Sequence, residues 1–405
     1  MIFIALIPKW QAYDEDRYFG EIIIVTEQNK IPGFSAEPQI DHPPLYYLLA
    51  SPFYYLGNMW GESGAVFMIR LFGLTQLVLL SYIGFLIAKE VFPDNIFMHY
   101  SVPSLLVLNP QLIYVSGSVQ ADALLDTFCA LLFWQGILLI KRGVSVKRTL
   151  AIATIIIGGL LTKQRFNIVL VSFSMIAILV AVRLIWSKLR SRGYHPLSLR
   201  IKNVALSTTL LSVTFLPIMF LLRNNNFYEW STIIAKGAIA SNDLHFRSRM
   251  FRQFWGHFGW WDIPLGERMY QVLDFLALLA LAGIIVSIIA AILDLYKKRE
   301  KDRNWNDSIL ARLKETDISM LLIMIFFISS IILSYAATGY YDAFGAGSGG
   351  RYNFIVAVPI IFFMSFGMSK LVPSGQVGLA LTSLFGGFFL FDLLVIYNYI
   401  VPFYY

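Results

Sequence analysis

Residues 65–88 read AVFMIRLFGLTQLVLLSYIGFLIA, and this run decides the class of fold. A helix needs about 20 consecutive apolar residues to cross a ~30 Å hydrocarbon core, and the run is long enough to do so. It is continuous rather than alternating, which fits a membrane-crossing helix and excludes the two-residue period of a β-barrel strand. Similar runs recur at about 97–117, 119–140, 149–161, 166–186, 203–222, 271–296, 317–337, 352–371 and 376–400, giving ten visible passes. The sequence therefore predicts an all-α polytopic bundle of about 10–11 spans in one transmembrane domain over residues 1–405. Composition agrees: 57% of the residues are hydrophobic, 14% are charged, and the mean hydropathy is +0.65. The single cysteine, Cys129, lies inside an apolar run and excludes an intrachain disulfide framework. Met1 to Ile7 is an apolar stub too short to span, read here as an incomplete first helix.

The net charge of +7 gathers in short loops between the runs, a pattern of membrane topology rather than of nucleic-acid binding. Lys and Arg collect in alternate loops. Lys89, the group Lys141, Arg142, Lys147 and Arg148, the stretches Lys188–Lys202 and Lys297–Lys314, and Lys370 define the inside. The outside then holds a first loop at 8–64, a short turn at 162–165, a long loop at 223–270 and the segment 338–350. The expected location is the plasma membrane, with the chemistry on the extracytoplasmic face.

The first loop carries the densest polar signal. Residues 13–48 read YDEDRYFGEIIIVTEQNKIPGFSAEPQIDHPPLYYL, opening on Asp14, Glu15, Asp16 and Arg17 and closing on Asp41, His42, Pro43 and Pro44. Between the clusters Tyr18, Phe19, Ile22, Ile23 and Val25 recur at helical spacing, as in a helix lying along a membrane surface. Residues 44–58, interrupted by Pro52, read as a second interfacial or re-entrant segment. A carboxylate in such a loop serves as a general base; a solvated, helix-capping acidic cluster is the alternative for Asp14 and Glu15. His42 fits a phosphate contact or a metal ligand, and equally a turn with a neutral histidine.

Four further groups stand out. Asp122 and Asp126 lie one turn apart at the end of an apolar helix and share a face, which suits a cavity or a structural partner. Lys163 and Arg165 sit in the outer turn TKQR, against the positive-inside trend, where a lipid phosphate or outer headgroups would satisfy them. The segment LHFRSRMFRQFWGHFGWWDIPLG places Arg247, Arg249 and Arg252 among Phe246, Phe251, Phe254, Trp255, Trp260 and Trp261. Guanidinium forks suit phosphate oxygens and exposed rings suit sugars or isoprenoid tails, while an interfacial aromatic belt is the simpler account of the tryptophans. Finally, a glycine-rich outer segment runs directly into Arg351 and Tyr352, a flexible approach to a second candidate anion site. It matches neither a Walker nor a dinucleotide motif.

Taken in order, DE-x-RY at 14–18, HPPLYYLL at 42–49, NPQLIYVSGSVQADALL at 109–125, LTKQ at 161–164, FWGHFGWW at 254–261 and GRYNFIVAVP at 350–359 resemble the multi-pass GT-C glycosyltransferases. That superfamily includes the protein O-mannosyltransferases and lipid A aminoarabinose transferases. The resemblance implies an inverting transfer from a polyprenyl-phosphate sugar to a glycan, lipid or protein acceptor outside the cytoplasm, in contact with membrane lipids and with no nucleic acid. It maps the family's catalytic aspartate to Asp14 with Glu15 beside it. It assigns phosphate contacts to Lys163, Arg165, Arg351, Arg249 and His42, the last where aminoarabinose transferases carry a lysine. Asp122, Asp126, Trp260 and Tyr352 would then contact substrate. A divalent cation on Asp14, Glu15 or His42 is compatible with the resemblance, although no ligand cluster demands one. A transporter or flippase for a lipid-linked or anionic solute is the rival reading, and an inactive scaffold a third. Neither paired inverted repeats nor matched broken helices are visible.

Overall fold

The computed structural model describes residues 2–31, 42–190, 212, 214, 235–237, 239–240, 242–260, 262–301, 315–343 and 349–405. Apolar periodicity and caps account for the helices. Six precede the central one: α1 (Ile2–Leu6), α2 (Glu15–Glu27), α3 (Leu45–Asn58), α4 (Gly61–Val91), α5 (Ile96–Val107) and α6 (Pro110–Ser116). They are followed by α7 (Asp122–Arg142), α8 (Val146–Leu160) and α9 (Phe166–Arg190). After the segment at 191–234 come α10 (Leu244–Trp255), a hairpin of β1 (His257–Phe258) and β2 (Ile263–Pro264), α11 (Glu267–Lys301) and α12 (Glu315–Ala343). A 3-10 turn (Gly350–Val356) leads into α13 (Ala357–Leu371), and α14 (Val377–Val395) passes through a π-turn (Ile396–Ile400) near the end of the chain.

Among the described residues seven stretches are long and apolar enough to cross a membrane: Gly61–Val91, Asp122–Arg142, Phe166–Arg183, Glu267–Asp294, Ile318–Ala343, Gly350–Leu371 and Ser374–Tyr404. This is a multi-pass helical membrane protein. The run at 203–222 lies outside the described residues except for 212 and 214. The run at 149–161 forms the 15-residue α8. The expectation of one pass at 97–117 is corrected, because the chain breaks there into α5 and α6. Pro110 has no N–H to continue the helix and pushes Asn109 into an extended conformation (φ −78°, ψ 113°), from which its side chain caps α6 at the Leu112 N–H.

The most deeply buried of these spans is α7, packed against α4, α8, α9 and α12. It starts with Asp122 and ends with Lys141 and Arg142, the favourable arrangement of charge along a helix dipole, and stops at Gly143 with φ 70°. Lys141 and Arg142 bond Glu90 at the end of α4, and Asn95 reaches Ser369 at the end of α13. The opposite ends of the same helices carry the candidate site. Glycines permit the tightest approaches: a Cβ at Gly73 of α4 would sit 2.0 Å from the Ser116 carbonyl, and one at Gly283 of α11 would sit 1.9 Å from that of Gly367. By contrast the outer face of α11 is largely uncovered, from Val272 through Phe275, Leu278 and Leu281 to Leu293, as suits a lipid-facing helix.

Candidate functional site

Asp14 is set by backbone geometry. It precedes α2 in the left-handed region (φ 54°, ψ 17°), a conformation that aspartate tolerates better than most residues, and its side chain makes no capping bond. It stands at the start of α2 without capping it through its side chain. The carboxylate remains 41% exposed and meets Arg351, whose Nη2 donates to Asp14 Oδ2 at 3.4 Å. A small cleft open to solvent lies alongside, lined by Asp14, Arg17, Tyr18, His42 and Tyr47. His42 stacks on Tyr18, with ring centroids 5.6 Å apart. Burial, with Asp122 nearby, pushes the Tyr18 phenol well above its ordinary range, so it remains a neutral hydroxyl.

Glu15 occupies a different environment. It is fully buried, and its Oε1 accepts from Arg70 Nε at 2.8 Å and from the Val119 N–H at 3.0 Å. Oε2 accepts from Arg70 Nη2 at 2.6 Å and from the Trp10 N–H at 3.1 Å. Arg70 spends its remaining donors on the carbonyls of Ile4, Ile7 and Pro8. The expectation that Glu15 joins Asp14 in chemistry is corrected by this geometry: both oxygens are committed to tying the first loop to α4. Of the residues named for a divalent cation, Asp14, Glu15 and His42, Glu15 has both oxygens already engaged. Among the described residues no three His, Cys, Asp or Glu side chains gather as a metal set.

Three cations from two distant segments converge at the same end of the bundle. The TKQR turn joins α8 to α9, and its start is pinned to the first loop by the Leu45 N–H on the Leu161 carbonyl at 2.9 Å. Lys163 pairs with Asp122 at 2.5 Å in a nearly buried contact and lies 5.7 Å from the Tyr18 ring. Arg165 lays its guanidinium 3.1 Å from the ring centre of Tyr352, and Arg351 lies 5.3 Å from the same ring. Arg351 is also 4.1 Å from the ring centre of Tyr13, and its Nη1 donates to Gln120 Oε1 at 3.4 Å. Asp126 is buried one turn inside Asp122, and its Oδ2 has no hydrogen-bond partner.

Of the glycine-rich approach expected before Arg351, only the last residues are described, and they are held in place. Residues 344–348 lie outside the described residues, but Gly350 is a tight packing position. A Cβ there would sit 2.5 Å from the Met250 carbonyl, and its N–H is held by Gln253 Oε1 at 2.9 Å. Thus α10 fixes where Arg351 starts.

The long loop contributes scaffolding more than charge. Asn109 Nδ2 donates to the Phe254 carbonyl, Gln111 Oε1 accepts from the His257 N–H, and Tyr114 accepts from the Gly259 N–H. Gly259 turns the hairpin with φ 60°. Tyr13 donates to the His257 carbonyl at 2.6 Å, and half-exposed Trp260 meets the Tyr13 ring edge-on at 6.2 Å. Trp260 is thereby one ring removed from Arg351. Trp261 lies outside the described residues. Arg249 is committed elsewhere, to Asp342 at 2.5 Å, and that pair is partly exposed.

Sequence reasoning missed Tyr13, Tyr18, Tyr47, Arg17, Gln120 and Arg70. The signal for Arg70 was available: an arginine inside an apolar span demands an acid, and Glu15 is one of few candidates.

No protein-family model matches the chain, and no characterised protein matches it by sequence. Among solved structures, the crystal structure of ArnT from Cupriavidus metallidurans in the apo state is similar at 15% identity. The likeness covers 93% of this chain and 74% of that one, with a TM-score of 0.37.

Proposed function

We propose that this protein is an inverting glycosyltransferase that moves a sugar from a polyprenyl-phosphate donor to an acceptor hydroxyl on the extracytoplasmic side of the membrane. The observation that carries the reading is the meeting of Lys163, Arg165 and Arg351 around Tyr352 and Asp122, beside the half-exposed carboxylate of Asp14. The cleft next to Asp14 opens to solvent and is lined by Arg17, Tyr18, His42 and Tyr47, polar and aromatic groups suited to a sugar hydroxyl or ring.

The chemistry follows from those parts. Asp14 takes the proton of the acceptor hydroxyl as its oxygen attacks the anomeric carbon, and the bond from that carbon to the phosphate oxygen breaks. The bonding electrons leave with the lipid monophosphate, so negative charge builds where Arg351 and Arg165 present N–H groups. Fixed cations that gain interaction as charge develops lower the barrier without a strong general acid. Lys163 holds Asp122 in register and contributes positive charge to the same cluster. Tyr18 and Tyr47 offer hydroxyls and ring faces to the sugar.

Transfer of a labelled sugar from a defined polyprenyl-phosphate donor in proteoliposomes tests the reading, with Asp14→Asn as the control. Full turnover by that variant would remove Asp14 from the mechanism. Sidedness has its own test, a cysteine at Gln164 or at Ser374, both exposed, probed with an impermeant thiol reagent. Labelling at Gln164 from outside and none at Ser374 supports the orientation; the reverse puts the site on the cytoplasmic face. Native Cys129 is buried and stays silent.

A further inference from the structure

The guanidinium of Arg351 has fewer acceptors than it can use. Its side chain is 8% exposed, yet its hydrogen bonds to Asp14 and to Gln120 are both 3.4 Å long, and its Nε has no partner. Charge-assisted N–H···O bonds ordinarily run about 2.7–2.9 Å. The same fold satisfies all five N–H groups of buried Arg70, at 2.6–3.1 Å. Arg351 instead rests on the ring face of Tyr13 at 4.1 Å and against Tyr352, with the ring centre at 5.3 Å and the hydroxyl as a further contact. A cation over a ring face can slide without losing much attraction, so the plane of the fork is fixed while its direction is not.

Its two acceptors are unequal. Gln120 is anchored, because its Nε2 donates to the Val115 carbonyl at 2.9 Å and to Ser118 Oγ at 2.5 Å. Asp14 is free of capping bonds and 41% exposed. A half-exposed pair at 3.4 Å is a weak tie, and a phosphate that offers two oxygens in the plane of the fork competes for it well.

We propose that Arg351 is a substrate-operated latch on Asp14. Without donor, the guanidinium holds the carboxylate; a phosphate anion entering the cluster takes the fork and releases Asp14 towards the acceptor. The inference rests on the reading of Asp14 as the base and of the cluster as a phosphate site. It makes donor binding the first event and acceptor activation the second.

The latch is tested without turnover. The full-length protein in proteoliposomes is treated with a water-soluble carbodiimide and glycinamide, and modification of Asp14 is read by tandem mass spectrometry. The probes are a short-chain polyprenyl phosphate, the corresponding neutral polyprenol, and inorganic phosphate. In the wild type, polyprenyl phosphate raises Asp14 modification several-fold and polyprenol does not; the inorganic phosphate arm separates a lipid-borne from a free phosphate as the operating anion. Arg351→Met is modified at the high level without any ligand and does not respond, and Arg351→Lys, which keeps the charge but loses the fork, responds only in part. Glu15, one residue on and buried, stays unmodified in every folded sample and reports unfolding. Unchanged or reduced Asp14 modification with polyprenyl phosphate, or an Arg351→Met variant that behaves like the unliganded wild type, overturns the latch. If Asp14→Asn is inactive while Asp14 modification ignores phosphate, only the latch fails; if Asp14→Asn transfers sugar at the wild-type rate, the reading of the base fails whatever the labelling shows.

Discussion

Asp14 and Glu15 are consecutive carboxylates, and each meets an arginine from a distant part of the chain. Glu15 accepts four hydrogen bonds at 2.6–3.1 Å with no exposure to solvent, and its partner Arg70 has no N–H left over. Asp14 has one contact at 3.4 Å, is 41% exposed, and its partner Arg351 keeps an unpartnered Nε. A fold that completes one pair and leaves its neighbour incomplete has separated structure from chemistry within two residues. The αL turn at Asp14 produces the division: it directs Glu15 inward to α4 and leaves the Asp14 side chain facing the pocket.

The largest effect should fall on the completed pair. Arg70→Met leaves a buried carboxylate without its counter-charge, a change that costs about 3–5 kcal/mol in buried pairs. Thermal unfolding in detergent should show a clear drop in midpoint, together with loss of activity as Asp14 loses its anchor. A melting point within a degree or two of wild type would mean that the pair is not what ties the first loop to the bundle.

Asp14→Asn comes second and should show the reverse signature. Turnover falls by about 10²-fold, as for loss of a general base, while donor affinity is retained. Stability should stay within about 0.5 kcal/mol, because a half-exposed residue with one long contact supports little of the fold. A large loss of stability in Asp14→Asn would erase the distinction between the two carboxylates.

How much of this could be read from the chain varies by residue. Hydropathy disclosed the long spans because the bilayer leaves backbone no alternative to a helix. The charges at 14, 163, 165 and 351 drew attention in the sequence because each is out of place, an acid in an interfacial segment or a cation in a loop that the alternation of Lys and Arg would put outside. The structural role of Glu15 was legible only from the far side, because the signal lies in its partner Arg70, 55 positions away inside an apolar run, and not in its own loop. The role of Gly350 was not legible, since its demand for space comes from the backbone of α10 rather than from its own loop. Asn109 and Pro110 did carry a local signal, a cap followed by a residue that cannot continue a helix, hidden in a run whose hydropathy alone suggested one pass.

A third, smaller effect concerns Arg165. It lies against Tyr352 and has no carboxylate within ion-pair reach among the described residues, so its charge is available to a ligand. A charge-assisted hydrogen bond contributes roughly 1.5–3 kcal/mol, about one to two powers of ten in rate or binding. Arg165→Met should therefore lower both donor affinity and turnover by about ten- to a hundredfold, with normal insertion. Lys163→Met differs in kind, because it also strands Asp122 and should lower the melting point as well.

The smallest effect is expected at Arg249, and it tests whether the unsatisfied arginines are confined to the Asp14 end. Arg249 already pairs with Asp342 at 2.5 Å, with side chains 46% and 27% exposed. An exposed pair of this kind is worth about 0–1 kcal/mol, and its guanidinium would have to leave that partner to reach a phosphate. Arg249→Met should change stability by less than about 1 kcal/mol, and turnover and donor affinity by no more than about fivefold, the same energy in rate. Measured beside Arg165→Met in the same bilayer, the two variants separate a cation that is free to act from one that is engaged. Equal losses would show that α10 and its loop close over the donor and bring Arg249 to the phosphate, and the division between satisfied and unsatisfied arginines would then describe only the substrate-free state.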